Sequence, residues 1–408
     1  MLKAVHVGVD ISGERNVAQF LDQDGNLLRK PFSFSNDSPG LSSFVEVLRD
    51  VADSHKPEVM NIGMEATGFY WWHLEERLSE DGFLDVETRV FVINPSLIKA
   101  FKKAYTSLPK TDAVDAWVIA DKLRFGRLTP VSEKALIYAP LARLTRLRYH
   151  LKRAITGEKN RALSLMFLRF SGYKKAAGRR AFNKAPLDLL NELTIDEVAD
   201  EPIEELVEYV LSHGNSRISN PEEFVGELKA AARRSFRLNP KMEDAVGVAL
   251  SLTTENIRFL EGQCRKLDSV IARELRAIPQ TLDTVPGIGP VIAAGIISEI
   301  GDVSRFQSQA ALAKFAGLTW HRYQSGRFDA EETSLTKAGN AYLRYYLVEA
   351  ANSLRLHNEE YSAYYRKKYS EVPKHQHKRA LVLTARKFVR LVFALLSKGQ
   401  IYRTGVVK

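Results

Sequence analysis

The sequence predicts an α/β domain at its amino end and a mostly helical remainder. Three observations carry this. Val5, Val7 and Val9 alternate with His6, Gly8 and Asp10, the period of a strand with two different faces. Further strand-like runs then alternate with helical patterns. From residue 139 onward apolar residues recur at three and four, which is helix spacing. At 408 residues and 45% hydrophobic content, the chain can build two or three domains with cores of their own.

The first strand carries its valines toward a core and Asp10 on the opposite side near its end. Ser12-Gly13 permits a tight turn. Residues 16–21 form a second strand, Asp24-Gly25 a hairpin turn, and residues 27–34 a third strand. A helix over 41–52 is marked by Leu41, Phe44, Val45 and Leu48. The strand over 59–64 runs into Glu65-Ala66-Thr67-Gly68, which puts Glu65 at a carboxyl strand end, where open α/β sheets bind ligands. The helix over 69–80 opens with Phe69, Tyr70, Trp71 and Trp72, assigned to core packing in preference to base stacking. Residues 89–93 are the last clear strand. Asn94 as N-cap and Pro95 at the first position start a helix through residue 104.

Leu108-Pro109-Lys110-Thr111 leads into a helix over 112–125 that begins with Asp112 and Asp115. Three apart, they share one helix face. One reading makes Asp112 the N-cap and leaves Asp115 to the helix dipole. The other makes both of them ligands of a hard cation such as Mg²⁺. The element order, three strands, helix, strand, helix, strand, helices, is the plan of an RNase H-like fold. Such a fold sets the first and fourth strands side by side, so Asp10 meets Glu65, and the late helix brings Asp112 and Asp115 beside them. Four converging carboxylates call for metal, here two Mg²⁺ ions.

In the middle, Leu141, Leu144, Leu147, Leu151 and Ile155 form the apolar seam of a helix. Its other faces carry Arg143, Arg146, Arg148, Lys152, Arg153, Lys159 and Arg161 against the single acid Glu158, a pattern suited to a nucleic-acid backbone. Lys174, Lys175, Arg179 and Arg180, around Gly172 and Gly178, read as a flexible or junctional stretch. Residues 186–211 hold nine Asp and Glu and no Lys or Arg, a solvated acidic insert. Residues 242–278 form one long helix. Val246, Leu250, Ile257, Leu260, Cys264, Leu267 and Ile271 fit a coiled-coil seam, with Thr253 as its polar exception, and predict dimerisation.

Near the carboxyl end, Gly287-Ile288-Gly289-Pro290 precedes a helix as the hairpin of a helix-hairpin-helix would, with backbone N–H groups at Gly287 and Gly289 available to a DNA phosphate; an ordinary glycine turn fits equally. Ala316-Gly317-Leu318, Gln324-Ser325-Gly326, Thr336-Lys337-Ala338-Gly339-Asn340 and Leu343-Arg344 follow. Residues 378–396 close the chain as a basic amphipathic helix.

Together, Val7-Gly8-Val9-Asp10, Met64-Glu65-Ala66-Thr67-Gly68, Asn94-Pro95, Lys110-Thr111-Asp112-Ala113-Val114-Asp115-Ala116 and the late glycine blocks resemble the DEDD transposases of bacterial insertion sequences. The resemblance spans most of the chain except about 172–239. It implies a RuvC-like nuclease domain over 1–138 and a transposase domain over 280–408; between them the residues themselves mark a basic helical region over 139–171, an acidic insert and linker over 172–241 and a coiled-coil helix over 242–279. It further implies a DNA recombinase with Asp10, Glu65, Asp112 and Asp115 as metal ligands and Ser325 as a covalent nucleophile. A structured bridge RNA would guide it to double-stranded DNA, and the protein would act as a dimer or tetramer. One departure stands out: Trp320 and His321 follow Gly317-Leu318 where relatives often have proline.

A net charge of +10 suits a polyanionic partner. The single cysteine, Cys264, excludes an intramolecular disulfide and points to a reducing, cytoplasmic setting. Neither a signal peptide nor a membrane span is expected. Two other functions fit parts of the chain. An actin-like sugar or acetate kinase shares the opening strand and Gly-x-Asp, but would need glycine-rich nucleotide turns later. A non-catalytic nucleic-acid-binding protein on a decayed nuclease fold conflicts with the presence of all four acids.

Overall fold

A computed structural model describes residues 3–80, 82–128, 133–214, 218–321, 324–325, 328–329 and 334–403, the last two pairs and residues 133–136 by backbone alone. The chain divides into two compact units, residues 1–136 and 137–408.

The first unit is a five-stranded mixed sheet with helices. Its elements are β1 (Ala4–Asp10), β2 (Arg15–Leu21), β3 (Phe32–Ser35), α1 (Ser38–His55), β4 (Val59–Glu65), α2 (Trp72–Leu78), β5 (Glu87–Ile93), α3 (Pro95–Lys102) and α4 (Asp112–Phe125). The strand order is β3-β2-β1-β4-β5. β1 runs antiparallel to β2 and parallel to β4, with Val9 opposite Met64. The first and fourth strands are therefore neighbours, as the element order predicts. β3 is shorter than the predicted 27–34, because residue 27 makes only an isolated bridge to Leu21. α2 starts at Trp72 and not at residue 69, since residues 68–71 form a turn closed by the Trp71 indole N–H on the Gly68 carbonyl.

The two sheet faces differ sharply. Val5, Val7, Val9, Met60, Ile62 and Met64 pack in one core with Phe44, Leu48 and Val51 of α1. On the other face Gly8 and Gly63 leave no side chain. A Cβ at Gly8 would stand 2.1 Å from the Ala116 carbonyl oxygen and 2.4 Å from the Ala120 nitrogen, and one at Gly63 would stand 2.9 Å from the Leu123 methyls. The α4 backbone thus lies directly on β1. α3 joins the same side through a second core, in which Ile98 and Phe101 meet Val118, Ile119 and Leu123.

The second unit is helical: α5 (Glu133–Arg169), α6 (Tyr173–Ala177), α7 (Lys184–Glu192), α8 (Ile195–Asp200), α9 (Ile203–His213), α10 (Pro221–Arg233), α11 (Pro240–Leu275), α12 (Pro290–Ile300), α13 (Gln309–Phe315), then a short ribbon of β6 (Gln324–Ser325) and β7 (Phe328–Asp329), and α14 (Ala341–His357), α15 (Glu359–Ser370) and α16 (Gln376–Lys398). Arg148 pairs with Asp268 and Lys159 with Glu261, so α5 and α11 run antiparallel. This corrects the expected coiled-coil dimer seam. Val246, Leu250, Ile257, Cys264, Leu267 and Ile271 are all buried, and the chain's own cores take up Leu250, Ile257, Leu267 and Ile271. The seam is spent within one chain, where a dimer would have needed it free.

The stretch 172–241 is also not a linker. Tyr173, Ala177, Leu189, Leu190, Val198, Leu206, Val210, Phe224 and Leu228 build a core across α6 to α10 that also takes in Ala162 and Met166 of α5 and Leu250 and Ile257 of α11. Tyr173 is fully buried, so the basic glycine stretch is not a flexible joint. All the acids of 186–211 but Asp188 are exposed or half-buried on helices whose apolar positions the charge count hides; Asp188 is buried and paired with Arg258 of α11. Among the described residues no helix is long and apolar enough to cross a membrane.

Candidate functional site

Asp10 and Glu65 each follow a paired residue, Val9 and Met64, on adjacent parallel strands. They therefore leave the sheet at the same end. By the period of two they share the face of Gly8 and Gly63, where α4 lies. The first turn of α4 carries Asp112 and Asp115, just ahead of Ala116, whose carbonyl touches β1 at Gly8. The two glycines thus make it possible for four carboxylates from three elements to approach one another.

The electrostatics records that approach. Burial raises Asp10 first, and the negative charges of Asp115, Asp112 and Glu65 add to it, against one backbone hydrogen bond from Ile11; the result is about 6. Each neighbour opposes the ionised form of Asp10. The carboxylates are hard oxygen donors of the kind Mg²⁺ takes, and a cation would relieve the repulsion on Asp10. Yet they form a loose set: among the described residues no three carboxylate, imidazole or thiol groups stand close enough to hold a metal ion. Asp115 is ion-paired with Lys102 at the end of α3 through one carboxylate oxygen, and its other oxygen stays available to a cation.

The N-cap of α4 is Thr111, whose hydroxyl accepts from the Val114 N–H at 3.3 Å. This corrects the reading of Asp112 as the cap. Both aspartates are left without a capping duty, and the helix dipole favours their charge. Lys102 escaped the sequence reading because only the docking of Ile98 and Phe101 onto α4 aims its neighbour at Asp115. Gly8 was visible as a letter of the first strand, but nothing local told that a helix would lie on it.

The aromatic opening departs from the expectation of core packing. Trp71 packs against the core, but Phe69 is 62% and Tyr70 53% exposed.

Among the described residues, four cations of α5 pair with carboxylates. Arg146 makes a two-pronged pair with Glu299 (2.6 and 2.8 Å), and Arg161 pairs with Glu158. Lys159 pairs with Glu261 and Arg148 with Asp268. Arg143 is half-buried beside Arg146, whose charge and the burial lower it from the usual arginine range. Arg153 lies over the Tyr149 ring at 5.7 Å and is exposed, and Lys152 is half-buried. Glu299 is only 1% exposed and also accepts from the Asn340 side chain at 2.6 Å. Arg146→Ala is therefore expected to cost on the order of 3 kcal/mol of stability by stranding a buried carboxylate. Urea melts check this, and Glu299→Gln in the same chain should restore part of the loss.

Asn340 also caps α14 by accepting from the Tyr342 and Leu343 N–H groups. Its own N–H donates to Phe315, and the Arg344 guanidinium donates to the Ala316 and Lys337 carbonyls. Gly317 (φ 67°) and Gly339 (φ 129°) allow this crossing; a Cβ at Gly339 would stand 2.3 Å from the Phe315 carbonyl oxygen. From this footing the chain pairs Trp320 with Leu335, and the His321 N–H donates to the Ser334 carbonyl. Farther along, Ser325 pairs with Phe328. The predicted nucleophile therefore lies on a ribbon beyond a rigid base; Gly326 of the same motif is outside the described residues. Gly287 (φ 92°) packs on α14, where the Ser353 hydroxyl donates to its carbonyl at 2.6 Å, whereas Gly289 is exposed and begins α12.

Residues 7–170 match a family model described as a transposase. Residues 279–366 match a model described as the transposase family of IS116, IS110 and IS902. The chain is similar to an uncharacterized 44.8 kDa protein of insertion element IS116 from Streptomyces clavuligerus, 24% identical over 98% of this chain and 96% of that one. It is also similar to a putative transposase for the mini-circle IS117 of Streptomyces coelicolor, 24% identical over 79% of this chain and 78% of that one. A pilin gene-inverting protein of Moraxella lacunata is 22% identical over 84% of this chain and 80% of its own.

Proposed function

The chain belongs to the DEDD transposases of insertion sequences, and from that premise we propose that it cuts and rejoins DNA with Mg²⁺ through a covalent phosphoserine, guided by a bridge RNA. The observation that carries the nuclease half is the elevated Asp10, opposed by Asp115, Asp112 and Glu65. The strand order with β1 beside β4 supports an RNase H-like reading of the first unit.

Bound Mg²⁺ would supply charge neutralisation at the phosphate and activation of the attacking oxygen. Asp10, Glu65, Asp112 and Asp115 would hold it. The Ser325 hydroxyl attacks phosphorus; the new Ser–O–P bond forms as the P–O bond to one strand end breaks. The serine proton passes to water and the strand end leaves as a hydroxyl. The phosphoester keeps the bond energy for rejoining. The serine and the acids serve the same phosphodiester, with different copies of a dimer or tetramer able to supply the two.

Lys152, Arg153 and the exposed start of α12 at Gly289 are assigned to nucleic-acid phosphates. The net charge of +10 supports a polyanionic partner. The guide RNA rests on the resemblance of the sequence blocks. The test is expression of the protein with its flanking DNA, then sequencing of the RNA that copurifies. One discrete structured RNA that makes DNA cutting sequence-specific is expected. Sequence-specific cutting by an RNA-free protein would remove the guide.

A further inference from the structure

The loops after β1 and β4 are built to present an aromatic ring, and we propose that Tyr70, with Phe69 beside it, is a stacking platform for an unpaired base of the DNA strand held at the carboxylates. This rests on the nuclease reading above.

Four observations support it. Tyr70 is five residues past Glu65, and its ring packs on Gly13, three residues past Asp10. Three extended residues span at most roughly 10 Å, so the ring stays close to the acids. A Cβ at Gly13 would stand 3.3 Å from Tyr70 Cε1, and one at Gly68 3.5 Å from Cε2. The two glycine backbones therefore bracket the ring and fix its position. The Asn36 side-chain amide donates to the Ser12 carbonyl (2.8 Å) and the Tyr70 carbonyl (3.1 Å), which ties the two loops together. The Trp71 indole closes the turn on Gly68. Yet with all this anchoring, more than half of the Tyr70 and Phe69 surfaces face solvent. A ring held as Tyr70 is and left exposed loses little entropy on binding a flat partner.

A base inside a duplex shows its faces only to its stacked neighbours, so a ring engages it only where the strand is opened. The platform therefore selects a locally melted strand at the cut site over an intact duplex. Stacking on an aromatic is tolerant of base identity, which suits a site whose sequence choice lies elsewhere.

The experiment uses the full chain with its copurifying guide RNA, Mg²⁺ and a DNA duplex with a short unpaired bubble carrying 2-aminopurine. Binding is read in wild type and in the non-cutting Asp10→Asn protein. Fluorescence should be quenched in both. Tyr70→Phe should keep the quench. Tyr70→Ala should lose it and weaken binding of the bubble by about tenfold or more, with a rise in KM that exceeds the fall in kcat. Tyr70→Leu retains an apolar side chain between the glycines and should fail like alanine if the flat ring is what matters. Quench and KM unchanged in folded Tyr70→Ala or Tyr70→Leu would overturn the platform, as would a Tyr70-dependent quench seen with RNA and not with DNA. A wild-type protein that quenches the probe and cuts nothing would fail the nuclease reading while leaving the stacking measured.

Discussion

Asp10→Asn should abolish DNA cutting while making the protein more stable at neutral pH. The loss of activity follows from removing one oxygen donor of the proposed Mg²⁺ site. A contribution of several kcal/mol to the barrier implies a fall of roughly a thousandfold or more. The gain in stability follows from Asp10 being raised from 3.8 to about 6. In the folded protein the carboxyl holds its proton more tightly than in the unfolded chain. Between those two values the folded state binds more protons, so stability falls as pH rises, and the penalty is fully present above pH 6. The displacement corresponds to roughly 3 kcal/mol. Half-exposure to solvent reduces this to on the order of 1 kcal/mol. Thermal melts at pH 8 in EDTA should show Asp10→Asn above wild type, and the difference should shrink through pH 6 to 4 and vanish below pH 3.8. Saturating Mg²⁺ should stabilise wild type more than the variant. Full cutting by Asp10→Asn, or a variant less stable at pH 8, would remove Asp10 from the site described.

Ser325→Ala should reduce the protein–DNA adduct to background on a denaturing gel after incubation of protein, guide RNA and DNA with Mg²⁺. A serine hydroxyl is a poor nucleophile at neutral pH and needs a base or metal, and alanine offers no oxygen at all. Asp10→Asn should fail equally, for lack of activation. Neither change touches the footing of Gly317, Gly339, Asn340 and Arg344, so both proteins should remain folded. If the serine and the acids come from different copies, mixing the two inactive proteins restores part of the adduct. Adduct at wild-type yield in Ser325→Ala would assign the nucleophile to another residue.

The sequence made the strand alternation of Val5 to Asp10 legible, along with Glu65 at a strand end and the Asp112–Asp115 spacing. Each is a local periodicity with a fixed geometric meaning. What was not legible depends on partners far along the chain. The heptad pattern of residues 246–271 marks an apolar seam, but it does not say whether the facing helix belongs to another chain or to α5. Arg146, Arg148 and Lys159 of α5 read as free charge because Glu299, Asp268 and Glu261 lie more than a hundred residues away. The aromatics at 69–72 are apolar by type, and only the turn at residues 68–71 decides that Phe69 and Tyr70 face outward. Thr111 was within reach: a threonine before two aspartates is an N-cap signal that the interest of the acids obscured.

The antiparallel pairing of α5 with α11 has a consequence for how the chain comes to be assembled. The two helices are separated in sequence by α6 to α10, and closing so long a loop is entropically slow. The intervening helices share one core with the facing ends of α5 and α11, through Ala162 and Met166 on one and Leu250 and Ile257 on the other, so the excursion condenses where its two ends meet. It therefore behaves as a module spliced into a hairpin of long helices. It lies between the two stretches that match transposase models, 7–170 and 279–366. A lineage could lengthen, exchange or shed such a module at the hairpin's tip without disturbing the acids of the first unit or the base of the Ser325 ribbon.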